Sequence, residues 1–201
     1  MAEKLARLAT REALLEAAKQ VLRERGYAAL STREVAAEAG VPLSQIHYHF
    51  GSKQGLVLAL FEYLDAQLLD RQQAMYQDTS LSLADQWDRA CAHLDEDLAS
   101  GYVRVMQELA AAGWADPVVG EVVRKSLEHW IGLVIELARR FERQFGRLGP
   151  FTPEEVGALV SNAFIGAESL VLTGLDSPAI PLRDSLRRVG ALIRTLERSK
   201  S

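Results

Sequence analysis

The amino-acid sequence predicts an all-α protein, with a short three-helix, helix-turn-helix domain over residues 1–52 and a larger helical domain over residues 53–201. Three observations lead there. Apolar residues recur at helical spacing along almost the whole chain, and every break in that pattern carries Gly, Pro, Asp, Ser or Thr. No stretch of alternating β-branched residues suggests a strand.

Over residues 7–25, Leu8, Leu14, Leu15, Ala18, Val21 and Leu22 share an apolar face, while Arg11, Glu12, Glu16, Lys19 and Glu24 fill the other. Gly26 ends this helix. Ser31 opens the next, because its hydroxyl can accept from the amide of Glu34 while the Glu34 carboxylate reaches back to the amide of Ser31. The helix continues through Val35, Ala36 and Ala39 to Gly40, whose freedom to take positive φ lets the chain reverse. Val41 and Pro42 complete the turn. A third, short helix over residues 43–50 puts Ile46 and Phe50 on one side and Ser44, Gln45, His47 and Tyr48 largely on the others, and Gly51 and Ser52 break it.

Longer helices are expected at residues 53–76, 82–100, 102–112, 117–145, 153–173 and 181–198. Pro117, Pro153 and Pro181 fall where a first helical turn tolerates proline, since the missing amide has no partner there.

Of the 201 residues, 48% are hydrophobic and 25% charged, as in an ordinary soluble protein. No uninterrupted apolar run approaches the roughly 20 residues of a membrane span, so none is expected. The N-terminus mixes both charge signs and lacks an apolar core, so no targeting segment is read there and a cytoplasmic location is expected. Cys91, the single cysteine, excludes an internal disulfide or a cysteine-rich zinc site and reads as a small buried hydrophobe. The net charge of −4 is uneven: up to Leu56 eight Lys and Arg face six Glu, a net of +2, which leaves 15 basic against 21 acidic residues beyond. Any contact with nucleic acid is therefore expected near the N-terminus.

A helix-turn-helix can place its second helix in the major groove of B-DNA, but a bare pair of helices is common and says little alone. The specific signal is the run AGVPLSQIHYHFGSK over residues 39–53, preceded by Ala17, Ala18, Gly26, Tyr27, Ser31, Val35 and Ala36 and followed by Leu56. With these residues the segment 11–56 resembles the N-terminal domain of TetR-type regulators over nearly its whole length.

The resemblance implies a DNA-binding head whose third helix reads base edges, and the side chains suit that role. Gln45 can make paired hydrogen bonds to adenine, Ser44 can donate or accept, and Leu43 can pack on a thymine methyl. Thr32, Arg33, His47, Tyr48, His49 and Lys53 can donate to phosphate oxygens, and Arg33 is long enough to reach a guanine edge. Two positions depart from the family pattern. Pro42 stands where a capping serine is usual, which removes one expected phosphate contact, and His47 stands where tyrosine is usual, which adds a titratable group.

For residues 53–201 the resemblance implies a small-molecule site and a homodimer formed through the last two long helices. The function it implies is a ligand-responsive repressor that binds a palindromic operator and places two third helices in successive major grooves. Val156, Val160, Ala163, Phe164, Ala167 and Val171 form one apolar stripe, and Leu182, Leu186, Val189, Ile193 and Leu196 another. These stripes fit either an isologous contact between two copies, with Ala163 and Ala167 permitting close approach, or packing inside one copy. An apolar effector would be lined by Trp87, Cys91, Met106, Trp114 and Trp130, with Asn162 or Glu168 as a polar anchor; each of the lining residues also fits plain core.

Catalysis finds no support: there is no glycine-rich phosphate loop, no G-x-S-x-G elbow and no H-E-x-x-H, and Cys91 has no recognisable histidine partner. His93 and Asp97 lie four apart on one helical face, but two ligands without a third do not make a metal site, so neither metal nor cofactor is expected. A helical adaptor for another protein would leave the composition of the third helix unexplained.

Overall fold

The structure, a computed structural model, describes residues 2–26, 29–146 and 148–200. Tyr27, part of the resemblance above, lies outside them. The described residues form α1 (Ala2–Arg25), α2 (Thr32–Glu38), α3 (Leu43–Phe50), α4 (Lys53–Gln77), α5 (Leu83–Ser100), α6 (Tyr102–Gly113), α7 (Pro117–Phe145), α8 (Pro153–Leu172) and α9 (Leu182–Lys200). Among them no strand forms; only an isolated antiparallel bridge joins Ser177 and Ile180. The all-α expectation holds, and α3 and α7 have the bounds expected from the sequence. α1 begins five residues earlier than expected, because the preceding Ala-Glu-Lys-Leu-Ala are strong helix formers that an apolar-periodicity reading undervalues.

The helix starts show why these boundaries fall where they do. Thr152 and Glu155 form a complete capping box at α8, with Pro153 in the first turn. Asp116 accepts from the amides of Val118 and Val119 at 2.9 and 3.3 Å and so starts α7. At α2 only half of the expected box forms. Ser31 accepts from the amide of Glu34 at 3.1 Å, whereas the Glu34 carboxylate pairs with Arg25 instead of turning back. An arginine at the end of α1 is the stronger partner for a carboxylate than one more backbone amide.

Packing divides the chain into two units, Met1–Gln67 with Gly101–Val123, and Leu68–Ser100 with Arg124–Ser201. The first buries Leu14, Leu15 and Leu22 of α1, Val35 of α2, Ile46 of α3, Leu56 and Leu60 of α4 and Leu109 of α6. It therefore extends past residue 52 by the first part of α4 and by α6. Arg104 of α6 donates to the carbonyl of Arg23 at 3.0 Å, closing the end of α1.

In the second unit α5, α8 and α9 pack around Trp87, Ala90, Cys91, Leu94, Phe164, Leu186 and Ile193. The indole of Trp87 donates to the carbonyl of Leu186 at 2.7 Å. Glu197 of α9 accepts from the amides of Leu83 and Ala84, supplying a negative charge at the start of α5. Two glycines set the helix spacing: a methyl at Gly157 would overlap Ile135 of α7, and one at Gly190 would overlap Asp88 and crowd Trp87 of α5.

α8 is long and apolar enough, by length and composition, to cross a membrane. It is apolar nearly all round, with charges only at Glu154, Glu155 and Glu168, although no uninterrupted apolar run in it reaches that length. Length and composition alone do not separate a span from a helix that packs on both faces.

Candidate nucleic-acid interface and ligand cavity

The geometry of the head follows from its turn. The amide of Ala39 closes on the carbonyl of Val35, Gly40 takes φ +65°, and the amide of Val41 returns to the carbonyl of Ala36 at 3.0 Å. This reversal lets α3 bury Ile46 completely against the first unit's core. At 100° per residue, burying Ile46 turns Ser44 and Tyr48 directly outward and leaves Gln45 and His47 flanking them. Tyr48 is 65% exposed and Ser44 and His47 are exposed, while Leu43 and Gln45 are half-buried. Thr32 is half-buried and Arg33 exposed at the start of α2, and Lys53 is exposed at the start of α4. Pro42 caps α3 without any side-chain hydrogen bond, as expected of proline, and the amide of Gln45 closes on the carbonyl of Pro42 at 2.9 Å instead.

Two histidines in α3 behave differently. His47 has its Nδ1 3.3 Å from the carbonyl of Gly51, which leaves Nε2 as its outward atom. His49 is corrected: its Nε2 is buried without a partner, so that atom cannot meet a phosphate. Its ring lies edge-on to Tyr48 and against Phe50. Burial, then Arg7, then Arg11 hold its pKa below the ordinary imidazole value. The sequence reading did not single out Arg7 and Arg11, one turn apart on α1, although Arg11 lies 5.7 Å from the centre of the Phe50 ring. The clue was a basic pair at i, i+4 before an aromatic-ended α3, legible only once α1 and α3 are seen to meet.

In the second unit His93 is likewise buried, with its pKa lowered by burial and then by Arg71. Both imidazoles resist protonation that the unfolded chain accepts at about pH 6.5. Their contribution to stability is present above that pH and lost as pH falls toward the depressed folded values. Urea unfolding at about pH 7.5 and about pH 5.5 should show a fall in stability toward acid, and His49→Gln and His93→Gln should each flatten it. An unchanged difference in both variants would place its origin elsewhere.

The proposed ligand residues separate into two groups. Trp87, Cys91 and Trp130 come together, with the rings of Trp87 and Trp130 at 5.6 and 6.4 Å from that of Phe164. Met106 and Trp114 belong to the other unit, and Trp114 is 89% exposed on the turn after α6. Asn162 is exposed and Glu168 half-buried, and neither reaches the apolar cavity of the second unit. That cavity, of about 190 Å³, is walled by α5, α7, α8 and α9, with Trp87, Val134, Phe141, Val160 and Ile193 among its lining. Of the residues chosen from sequence for the ligand, Trp87 alone lines it.

Burial pushes the Cys91 thiol up to about 11, far from a reactive thiolate. Asp97 is held by Arg71 at 2.5 Å instead of standing with His93 as a metal pair. No group of three potential metal ligands occurs among the described residues. The sequence reading missed Gln72, which is buried beside Arg71 with its Oε1 unpartnered.

The apolar stripes of α8 and α9 are also redistributed. Phe164, Ala167, Leu186 and Ile193 lie in the core of the second unit, with Val160 packed against it and Val156 lining the cavity. Ala163 and Val189 are exposed, and with them Leu159, Leu170, Leu192 and Leu196. On α8 the exposed set Leu159, Ala163 and Leu170 follows helical spacing on a face turned away from Phe164. The stripe read from sequence is thus largely the internal one, and a second apolar face remains outside.

The profile of bacterial regulatory proteins of the TetR family matches residues 14–60, which span the end of α1 through the start of α4. The HTH-type transcriptional regulator CymR of Pseudomonas putida is 30% identical over 140 residues, 63% of this chain and 66% of that relative. Among solved structures, a TetR-family regulator from Pectobacterium atrosepticum is 26% identical, covers 96% of both chains and has a TM-score of 0.68. A transcriptional regulator from Saccharomonospora viridis, in complex with choline, is 21% identical, covers 90% of this chain and 93% of its own and has a TM-score of 0.77.

Proposed function

Because the chain belongs to the TetR family of bacterial transcriptional regulators, we propose that it represses transcription as a homodimer bound to a palindromic operator and lets go when a small apolar effector enters its larger domain. Residues 1–52 carry the DNA contacts and residues 53–201 the effector and the partner copy, and the protein acts in the cytoplasm, where its operator is. The observation that carries the reading is α3: Ile46 anchors it completely, and the face so turned outward holds Ser44, Gln45, His47 and Tyr48. These side chains offer hydrogen bonds to base edges and phosphates.

Arg33 and Lys53 supply charge beside that face, and Arg7 and Arg11 of α1 add to it. The exposed face of α8, with Leu192 of α9, supports an isologous contact between two copies, which would hold two α3 helices about 34 Å or a multiple apart. The bond from Arg104 to Arg23 offers a route by which a shift of α6 would reach α1. Release then requires only that the effector favour one arrangement, with a coupling of about 1 to 3 kcal/mol.

The test is binding to duplexes selected from a random pool, titrated with salt. Gln45→Ala should relax preference at one base pair, at about 1 to 3 kcal/mol, while Lys53→Ala should weaken all sequences alike and lower the salt slope by about one. If base preference survives Gln45→Ala, α3 does not lie in the groove as proposed.

A further inference from the structure

On the outward face of α3 the hydroxyls of Ser44 and Tyr48 and the amide of Gln45 can each both donate and accept. His47 differs, because a neutral imidazole carries one N–H and one lone pair, and a fixed partner on one nitrogen decides which is which. That partner is the carbonyl of Gly51, 3.3 Å from Nδ1. A carbonyl oxygen only accepts, so Nδ1 holds the proton and Nε2, the outward atom, holds the lone pair. Gly51 is itself held in place: its amide donates to the carbonyl of His47 at 3.0 Å, and its φ of +72° turns the chain out of α3. His47 and Gly51 thus clasp each other through backbone and side chain, and the imidazole is oriented before any DNA arrives.

On the DNA-binding reading above, we propose that His47 reads sequence, accepting from the exocyclic amino group of adenine or cytosine in the major groove, in place of the phosphate contact expected from the sequence. In that groove adenine N6 and cytosine N4 are the donors, whereas guanine N7 and O6 and thymine O4 are acceptors. Phosphate oxygens are acceptors too. The lone pair of Nε2 is therefore attracted by the amino groups and repelled by the rest.

The position on the helix suits such a role. At 100° per residue His47 lies about 60° round the axis from Ser44, while Gln45 lies on the opposite flank beside Tyr48, so the two meet different base edges. Moving the proton to Nε2 to suit a phosphate or a guanine gives up the bond to Gly51. One bond of ordinary strength biases an equilibrium by about 2- to 10-fold, which sets the discrimination expected at this position.

The full chain is examined first without DNA. Nitrogen NMR in mildly alkaline buffer should find the side-chain proton of His47 on Nδ1 and none on Nε2. Duplexes are then selected from a random pool with the unaltered chain, with His47→Ala and with Gln45→Ala. One position should prefer adenine or cytosine on one strand for the unaltered chain and for Gln45→Ala, and His47→Ala should lose that preference of about 2- to 10-fold. His47 is exposed, so its replacement leaves the buried anchor of α3 in place. Replacing that adenine by purine, or that cytosine by 2-pyrimidinone, removes the amino group. The exchange should weaken the unaltered chain by the same factor and leave His47→Ala unaffected. His47→Lys, which only donates, should turn the preference at that position to guanine.

A proton on Nε2, a guanine preferred by the unaltered chain, or a preference that survives His47→Ala would overturn the proposal and leave the DNA-binding reading intact. A uniform loss across all sequences in His47→Ala, with a flatter salt slope, would do the same, since it marks a phosphate contact. An unaltered chain with no preference among duplexes would overturn both.

Discussion

Leu159→Glu combined with Leu170→Glu is expected to convert the protein to monomers and to lower operator affinity by about 100-fold or more, while leaving each chain folded. Leu159 is 54% exposed and Leu170 is also exposed, so in a single chain both glutamates remain in water, and surface changes of this kind usually move stability by no more than about 0.5 kcal/mol. In an isologous contact every substitution appears twice, which brings four like charges into one apolar patch. Two linked heads gain about 10²- to 10⁴-fold over one through effective concentration, and that gain is what separation removes. Sedimentation and operator titration check both halves, with binding to a single half-site retained. Phe164→Ala is the control, since Phe164 is buried in the core of the second unit: it should cost about 3–5 kcal/mol of stability. Were the double glutamate variant to sediment as a dimer, the contact between copies would lie on another face.

That pair of variants also marks where the sequence could be read and where it could not. The bounds of α3 were legible because Gly40, Pro42 and Gly51 punctuate both ends, and those of α7 because Asp116 and Pro117 make a strong start. α8 gave its helix but not its faces. Its apolar residues surround the axis, so periodicity offers several stripes, and the contacts of Phe164 and Ala167 with the core select among them. Tertiary partners decided the other errors as well. His49 reads as a phosphate ligand until α1 brings Arg7 and Arg11 against it, and Trp114 reads as pocket lining although it stands in solvent. The Glu34 carboxylate left the capping box for Arg25, a partner nine residues away that local rules do not weigh. The outward face of α3 was recovered because one strong anchor, Ile46, fixes its rotation.

Gln86 carries the largest stability effect expected of a residue the sequence left unremarked, because a glutamine on an amphipathic helix reads as solvated surface. Gln86 is instead completely buried in α5. Its Nε2 lies 3.2 Å from the carbonyls of Met75 and Tyr76 and 3.0 Å from that of Asp78, so its two hydrogens reinforce the end of α4, where Met75 and Asp78 otherwise accept from the amides of Asp78 and Leu81 at 3.3 Å. Its Oε1 accepts from Arg140 of α7 at 3.1 Å, and the same arginine donates to the Tyr76 carbonyl at 2.7 Å. Leucine at this position keeps the volume but takes one donor from each of three carbonyls that keep another, from the amides of Asp78 and Leu81 and from Arg140, and leaves part of the Arg140 guanidinium without its acceptor, at about 1–3 kcal/mol. Gln86→Leu should therefore cost about 1–3 kcal/mol and lower the melting temperature by about 5 °C. Gln73→Leu, at an exposed position on α4, should change stability by no more than about 0.5 kcal/mol. Because Arg140 and Gln86 share the Tyr76 carbonyl and bond to each other, Arg140→Leu in the Gln86→Leu background should cost less than Arg140→Leu alone, by about 0.5–3 kcal/mol. Additive losses would show that the two side chains act on α4 independently, and a neutral Gln86→Leu would show that the bonds of Gln86 add nothing to those these carbonyls already accept.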